Sequence, residues 1–124
     1  MFLGHFGLGF GAKRVAPAVS LGALFAAAQF ADLLWPTLVL LGLERVDIQP
    51  GATVVTPLNF VSYPFSHSLL ALTVWGVLFG VGYKVIRRSR AAAAITIALL
   101  VVSHWLLDVI THRPDMPLAP WVTR

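Results

Sequence analysis

The chain has 124 residues, of which 58% are hydrophobic and 11% charged, with a mean hydropathy of +0.84. An ordinary soluble domain carries about 25% charged residues, so this composition excludes one and indicates a membrane protein. The formal charge of +4 does not point to nucleic acid, because the basic residues cluster at the ends of apolar runs and form no groove with stacking aromatics. There is no cysteine, so disulfides and thiolate ligands are excluded and any metal must be held by nitrogen and oxygen.

Residues 1–12 are apolar but too short to span a bilayer, and Gly4, Gly7, Gly9 and Gly11 permit close backbone packing, which predicts a short re-entrant or interfacial helix. Lys13 and Arg14 precede the first predicted span, residues 17–43, with Pro17 suited to its first helical turn. A signal peptide is the alternative for this region, but the apolar run continues to Leu43, beyond the roughly 7–15 residues of a signal core. Within the span, Pro36 cannot donate to the carbonyl of Asp32, which predicts a kink and leaves that oxygen available. Gln29 is an interhelical hydrogen bonder or a partner of Asp32.

The 44–65 segment contains Pro50, Gly51, Pro57 and Pro64 and reads as a binding loop or a passive connection. Ser66 is the predicted N-cap of a second span, residues 66–86. That would place His67 in a first turn, where the helix dipole favours a neutral imidazole able to ligate a metal. Gly76 and Gly80 form a small-xxx-small pair, read as close helix packing or as a dimer interface. The Ala91–Ala94 tract opens a third span, residues 91–111. The expected fold is an all-α integral membrane protein, one domain over residues 1–124 with about three transmembrane helices and a short N-terminal helix. Lys13, Arg14, Lys84, Arg87, Arg88 and Arg90 place the N-terminus and the 84–90 loop in the cytoplasm, with the 44–65 loop and the C-terminus outside.

Ionisable groups within spans are costly and functional by default. His104, Asp108 and His112 recur at four-residue steps, so they project from roughly one helix face, with Asp115 just beyond. Counting ~1.5 Å per residue from the cytoplasmic ends puts Asp32 at about 22 Å, His104 at about 20 Å, and His67 and Asp108 at roughly 26 Å. Four ionisable residues from three spans thus fall in two adjoining layers of the outer half of the bilayer. His112 and Asp115 are close enough in sequence to cover the same place. His5 is a further candidate ligand or an interface residue.

Four segments carry a resemblance: Gly4-His5-Phe6-Gly7, Asp32 with Trp35-Pro36, Tyr63-Pro64-Phe65-Ser66-His67-Ser68-Leu69-Leu70, and the block from Ser103 to Asp115. Together they resemble the bacterial membrane-bound metal-dependent hydrolase family of the LexA-binding, inner-membrane-associated type. The likeness covers nearly the whole chain, and its specific part is the His-x3-Asp-x3-His-x2-Asp block. It implies an inner-membrane protein with His67, His104, Asp108, His112 and Asp115 at motif positions, and His5 and Asp32 as additions. Members of that family usually continue with a further hydrophobic segment, whereas this chain stops at Arg124, which implies a short member or one lacking a C-terminal span.

The leading functional expectation is metal-assisted hydrolysis of an ester or phosphoester, with a lipid as one substrate class. Three or four of His67, His104, Asp108 and His112 would hold one Zn²⁺ or similar divalent ion, with His5 a further ligand. Asp32 or Asp115 would be the general base or complete a second metal position. The alternatives are an ion or proton pathway and a structural metal site. The expected partners are the lipid bilayer and a lipid or small ester, with no nucleic acid.

Overall fold

The apolar runs become helices, and the computed structural model describes residues 2–51, 57–111 and 116–122. In chain order the elements are α1 (Phe2–Val15), α2 (Leu21–Ala28), α3 (Phe30–Leu40), β1 (Arg45–Ile48), β2 (Leu58–Ser62), α4 (Pro64–His67), α5 (Leu69–Arg87) and α6 (Ala91–Thr111). Helix α1 has 14 residues and runs a turn past the expected end, but at ~1.5 Å per residue it falls short of the roughly 30 Å bilayer core. At its end the Lys13 ammonium donates to the carbonyls of Pro17 and Val19, at 2.7 Å each, and holds the turn into α2.

The span expected over 17–43 is a bent pair, α2 and α3, meeting at 55°. The bend falls at Gln29, whose backbone (φ −100°, ψ 10°) leaves helical geometry and whose side chain is buried. It does not fall at Pro36, which lies inside α3 one turn before that helix ends. A proline there forfeits one backbone bond and little of the helix remains beyond it. Helix α3 stops at Leu40, and the positive φ of 73° at Gly42 allows the chain to reverse, with Leu43 N–H donating to the Leu38 carbonyl at 2.9 Å.

The fold is not purely α-helical. Within the 44–65 connection, β1 and β2 pair antiparallel, with Val46 opposite Phe60, Asp47 opposite Asn59 and Ile48 opposite Leu58. Short runs of β-branched and aromatic residues alternating with polar ones suit a two-stranded ribbon better than a helix.

The second span begins later than expected. Ser68, in extended geometry, separates α4 from α5, and its hydroxyl accepts from Ala71 N–H at 3.2 Å. Ser68 is therefore the N-cap and Ser66 lies inside α4. His67 consequently ends a short helix and does not occupy the first turn of the span, so the dipole argument for its neutrality does not apply as stated. Helix α6 has the expected bounds, 91–111. Gly76 and Gly80 meet its backbone: a Cβ on Gly76 would lie 2.8 Å from the Ala98 carbonyl oxygen, and one on Gly80 2.6 Å from that of Ala94. The small pair thus serves packing within the chain.

Helices α5 and α6 pack along one another, and α1 and α2 lie against α6 and each other. Their shared core holds Leu24, Ala27, Ala31, Leu72, Ile97 and Val101. Residues 116–122 return over the start of α5, where Leu69 N–H and Leu70 N–H donate to the carbonyls of Pro117 and Leu118, so amides without helical partners are satisfied. Helices α5 and α6 are each long and apolar enough to cross a membrane, and α2 with α3 makes a third span if the bent pair is counted as one.

Candidate metal centre

The α6 helix places His104 and Asp108 one turn apart on its buried face, at 0% and 2% exposure. His104 Nδ1 lies 2.9 Å from the carbonyl oxygen of Ala28, beside the bend between α2 and α3. A carbonyl can only accept, so Nδ1 carries a proton, and in the neutral ring Nε2 presents a lone pair to the interior. Among the described residues that Nε2 has no hydrogen-bond partner, although it is 3.3 Å from Asp108 Oδ2 and 3.6 Å from Asp32 Oδ1.

Two more histidines complete the surroundings. Helix α1 buries His5 with its ring stacked on that of His104, centroids 3.7 Å apart and planes within 6°, and with Nε2 3.2 Å from Asp108 Oδ1. Burial lowers the His5 pKa, opposed by the hydrogen bond to Asp108, and so favours its neutral form. His67, from α4, approaches from the other side with Nε2 3.5 Å from Asp32 Oδ1 and its ring edge-on to His104 at 5.3 Å. Asp32 thus touches His67 and His104, and Asp108 touches His104 and His5. The two depth layers expected from helix rise merge into one cluster, with His104 common to both halves.

These atoms form two sets, His5–His104–Asp108 and Asp32–His67–His104, each with one ligand atom per residue and all within 4.8 Å of one another. A tetrahedral ion with bonds of about 2.0–2.1 Å keeps its ligand atoms about 3.3 Å apart. The His–Asp separations of 3.2–3.6 Å and the orphaned Nε2 of His104 therefore suit a metal ion held by nitrogen and oxygen. The cluster has one accessible member. The side chain of Asp32 is 34% exposed, whereas those of His5, His67, His104 and Asp108 are between 0% and 7%.

Of the residues singled out in the sequence, His5, Asp32, His67, His104 and Asp108 converge, while His112 and Asp115 lie outside the described residues. Asp32, expected as a general base, stands at ligand distance among the histidines. Glu44, in sequence merely a loop acid, is 2% exposed and sits directly behind His67, joined to it through Ser66. Its partners are 21 and 22 positions away, so no local spacing announces it; the only hint is an acid two residues past a helix-ending glycine in an acid-poor chain. No family model matches the chain, and neither does any curated protein or solved structure.

Proposed function

We propose that the protein is a membrane-bound metal-dependent hydrolase of the bacterial family its motifs resemble, acting on an ester or phosphoester, with lipid as one substrate class. The observation that carries this reading is the convergence of five buried or half-buried ligand-type side chains, from α1, α3, α4 and α6, at ligand-to-ligand spacing. Two sets of three that share His104, Asp32–His67–His104 and His5–His104–Asp108, would each offer three ligands to a divalent ion, most simply Zn²⁺, and leave a fourth position for water. Such an ion, when bound, supplies Lewis-acid polarisation of the substrate and a hydroxide nucleophile at neutral pH.

The remaining chemistry belongs to the chain. Ala28 fixes the ring of His104 so that Nε2 faces the cluster. Asp108 orients His5 and His104 together. Asp32, the accessible carboxylate, is placed to accept the proton of an attacking water, and the opening it occupies favours a reactive centre over a closed structural one. The protein would lie in the bacterial inner membrane with its N-terminus cytoplasmic, in keeping with the basic residues at 13–14 and 84–90.

The test is metal content by plasma mass spectrometry on detergent-purified protein, with His104→Ala and Asp108→Ala alongside, all three shown to be folded. Stoichiometric metal in the wild type, lost in both variants and accompanied by metal-dependent cleavage of ester or phosphoester substrates, is the expected result. A folded wild type without metal after purification and after incubation with Zn²⁺ would overturn the reading.

A further inference from the structure

The structure assigns Glu44 a role at the metal centre: through Ser66 it fixes the tautomer of His67 so that Nε2 is free to ligate, which makes Glu44 and Ser66 positioning residues for that ligand. The inference rests on the metal-site reading for its consequence but not for its geometry. Helix α3 ends at Leu40, the chain reverses at Gly42, and Glu44 is delivered beneath α4 with almost no exposure. There its Oε1 accepts from the backbone N–H groups of Phe65 and Ser66, each at 2.8 Å, and its Oε2 accepts from the Ser66 hydroxyl at 2.7 Å.

These bonds fix where the protons lie between Glu44, Ser66 and the near nitrogen of His67. The Ser66 hydroxyl has a single hydrogen, which it donates to Glu44, so towards His67 its oxygen can only accept. Ser66 Oγ lies 2.6 Å from His67 Nδ1. His67 therefore carries a proton on Nδ1, and in its neutral form it turns the lone pair of Nε2 towards Asp32, 3.5 Å away. Histidine ligands are commonly held by a carboxylate or carbonyl on the far ring nitrogen, and here a buried hydroxyl is inserted between carboxylate and ring. Ser66 is fully buried and engaged on both sides, so it serves as a link and not as a nucleophile.

Glu44→Gln isolates the idea because it preserves shape while changing the direction of the chain of bonds. The amide oxygen of the substituted side chain would keep both backbone N–H bonds, and its NH₂ group would then face Ser66 and donate to it. The Ser66 hydrogen would be turned onto His67 Nδ1, which would shift the ring to the Nε2–H tautomer and occupy the ligating atom. Ser66→Ala removes the link without reversing it.

The experiment records side-chain ¹⁵N spectra of His67 in metal-free, histidine-labelled full-length protein in alkaline solution, with assignment by His67→Gln. Zn²⁺ affinity is measured in parallel by chelator competition. Expected are an Nδ1–H tautomer in the wild type, an Nε2–H tautomer in Glu44→Gln, and a mixture in Ser66→Ala. Both variants should bind Zn²⁺ about 10- to 100-fold more weakly, the range for loss of an outer partner. Loss of packing alone would not invert a tautomer. A folded Glu44→Gln protein that keeps the Nδ1–H form overturns the assignment. If instead the tautomers change as expected and the wild type binds no Zn²⁺, the relay stands and the metal reading fails.

Discussion

The two carboxylates of the cluster have unequal work. Asp108 is buried and gives one oxygen to His5 and the other to His104, whereas Asp32 offers one oxygen to His67 and His104 from a third-exposed position. Replacing either by asparagine keeps the volume and removes the charge. Asp108→Asn should therefore weaken Zn²⁺ binding the more severely, since a buried charged partner contributes more than a solvated one. Asp32→Asn should retain more binding and lose more turnover. Affinities by chelator competition and rates of ester hydrolysis check the pair; equal losses in both would refute the division. At this scale the candidate site was largely readable in the sequence, because His104 and Asp108 repeat at helical spacing and Asp32 and His67 match them in depth. Glu44 was not readable, because its contact with Ser66 depends on a chain reversal at Gly42 that no periodicity records.

Among the elements, the α5–α6 pair depends on two glycines. At Gly80 a side chain would meet the Ala94 carbonyl at 2.6 Å, which is backbone and cannot swing aside, while at Gly82 nothing lies within 4 Å. Gly80→Leu should lower stability by roughly 1–3 kcal/mol or more, as over-packing does, and Gly82→Ala should be neutral or mildly stabilising. Thermal midpoints in one detergent test this, and a Gly80→Leu protein as stable as the wild type would show that the close approach is not needed. The helix α6 and its bounds followed directly from hydropathy. The bent α2–α3 pair and the β-hairpin did not, because an apolar window is blind to a backbone break at Gln29 and because strand pairing joins residues 10 to 17 positions apart.

For the molecule as a whole, the distribution of charge makes a prediction about sidedness. The chain contains no cysteine, so single cysteines report cleanly. Arg90→Cys, exposed in the basic turn between α5 and α6, should react with an impermeant maleimide only after the cytoplasmic face is opened, and Asp47→Cys, exposed on β1, should react in intact cells. The opposite pattern would invert the topology and turn the Asp32 opening towards the cytoplasm.

The cluster also bears on the order in which the chain is put together. His5 and Asp108 stand at nearly opposite ends of the described sequence, and Asp32 and His67 come from two further helices. Helices α5 and α6, joined by a short turn, can find each other through local contacts, whereas the cluster around His104 is complete only once the first helix has docked against the last. Under the proposed reading, metal occupancy would mark completed assembly, because an undocked first helix leaves the carboxylates and imidazoles of the other helices without their partners in an apolar setting, where ionisable groups are costly.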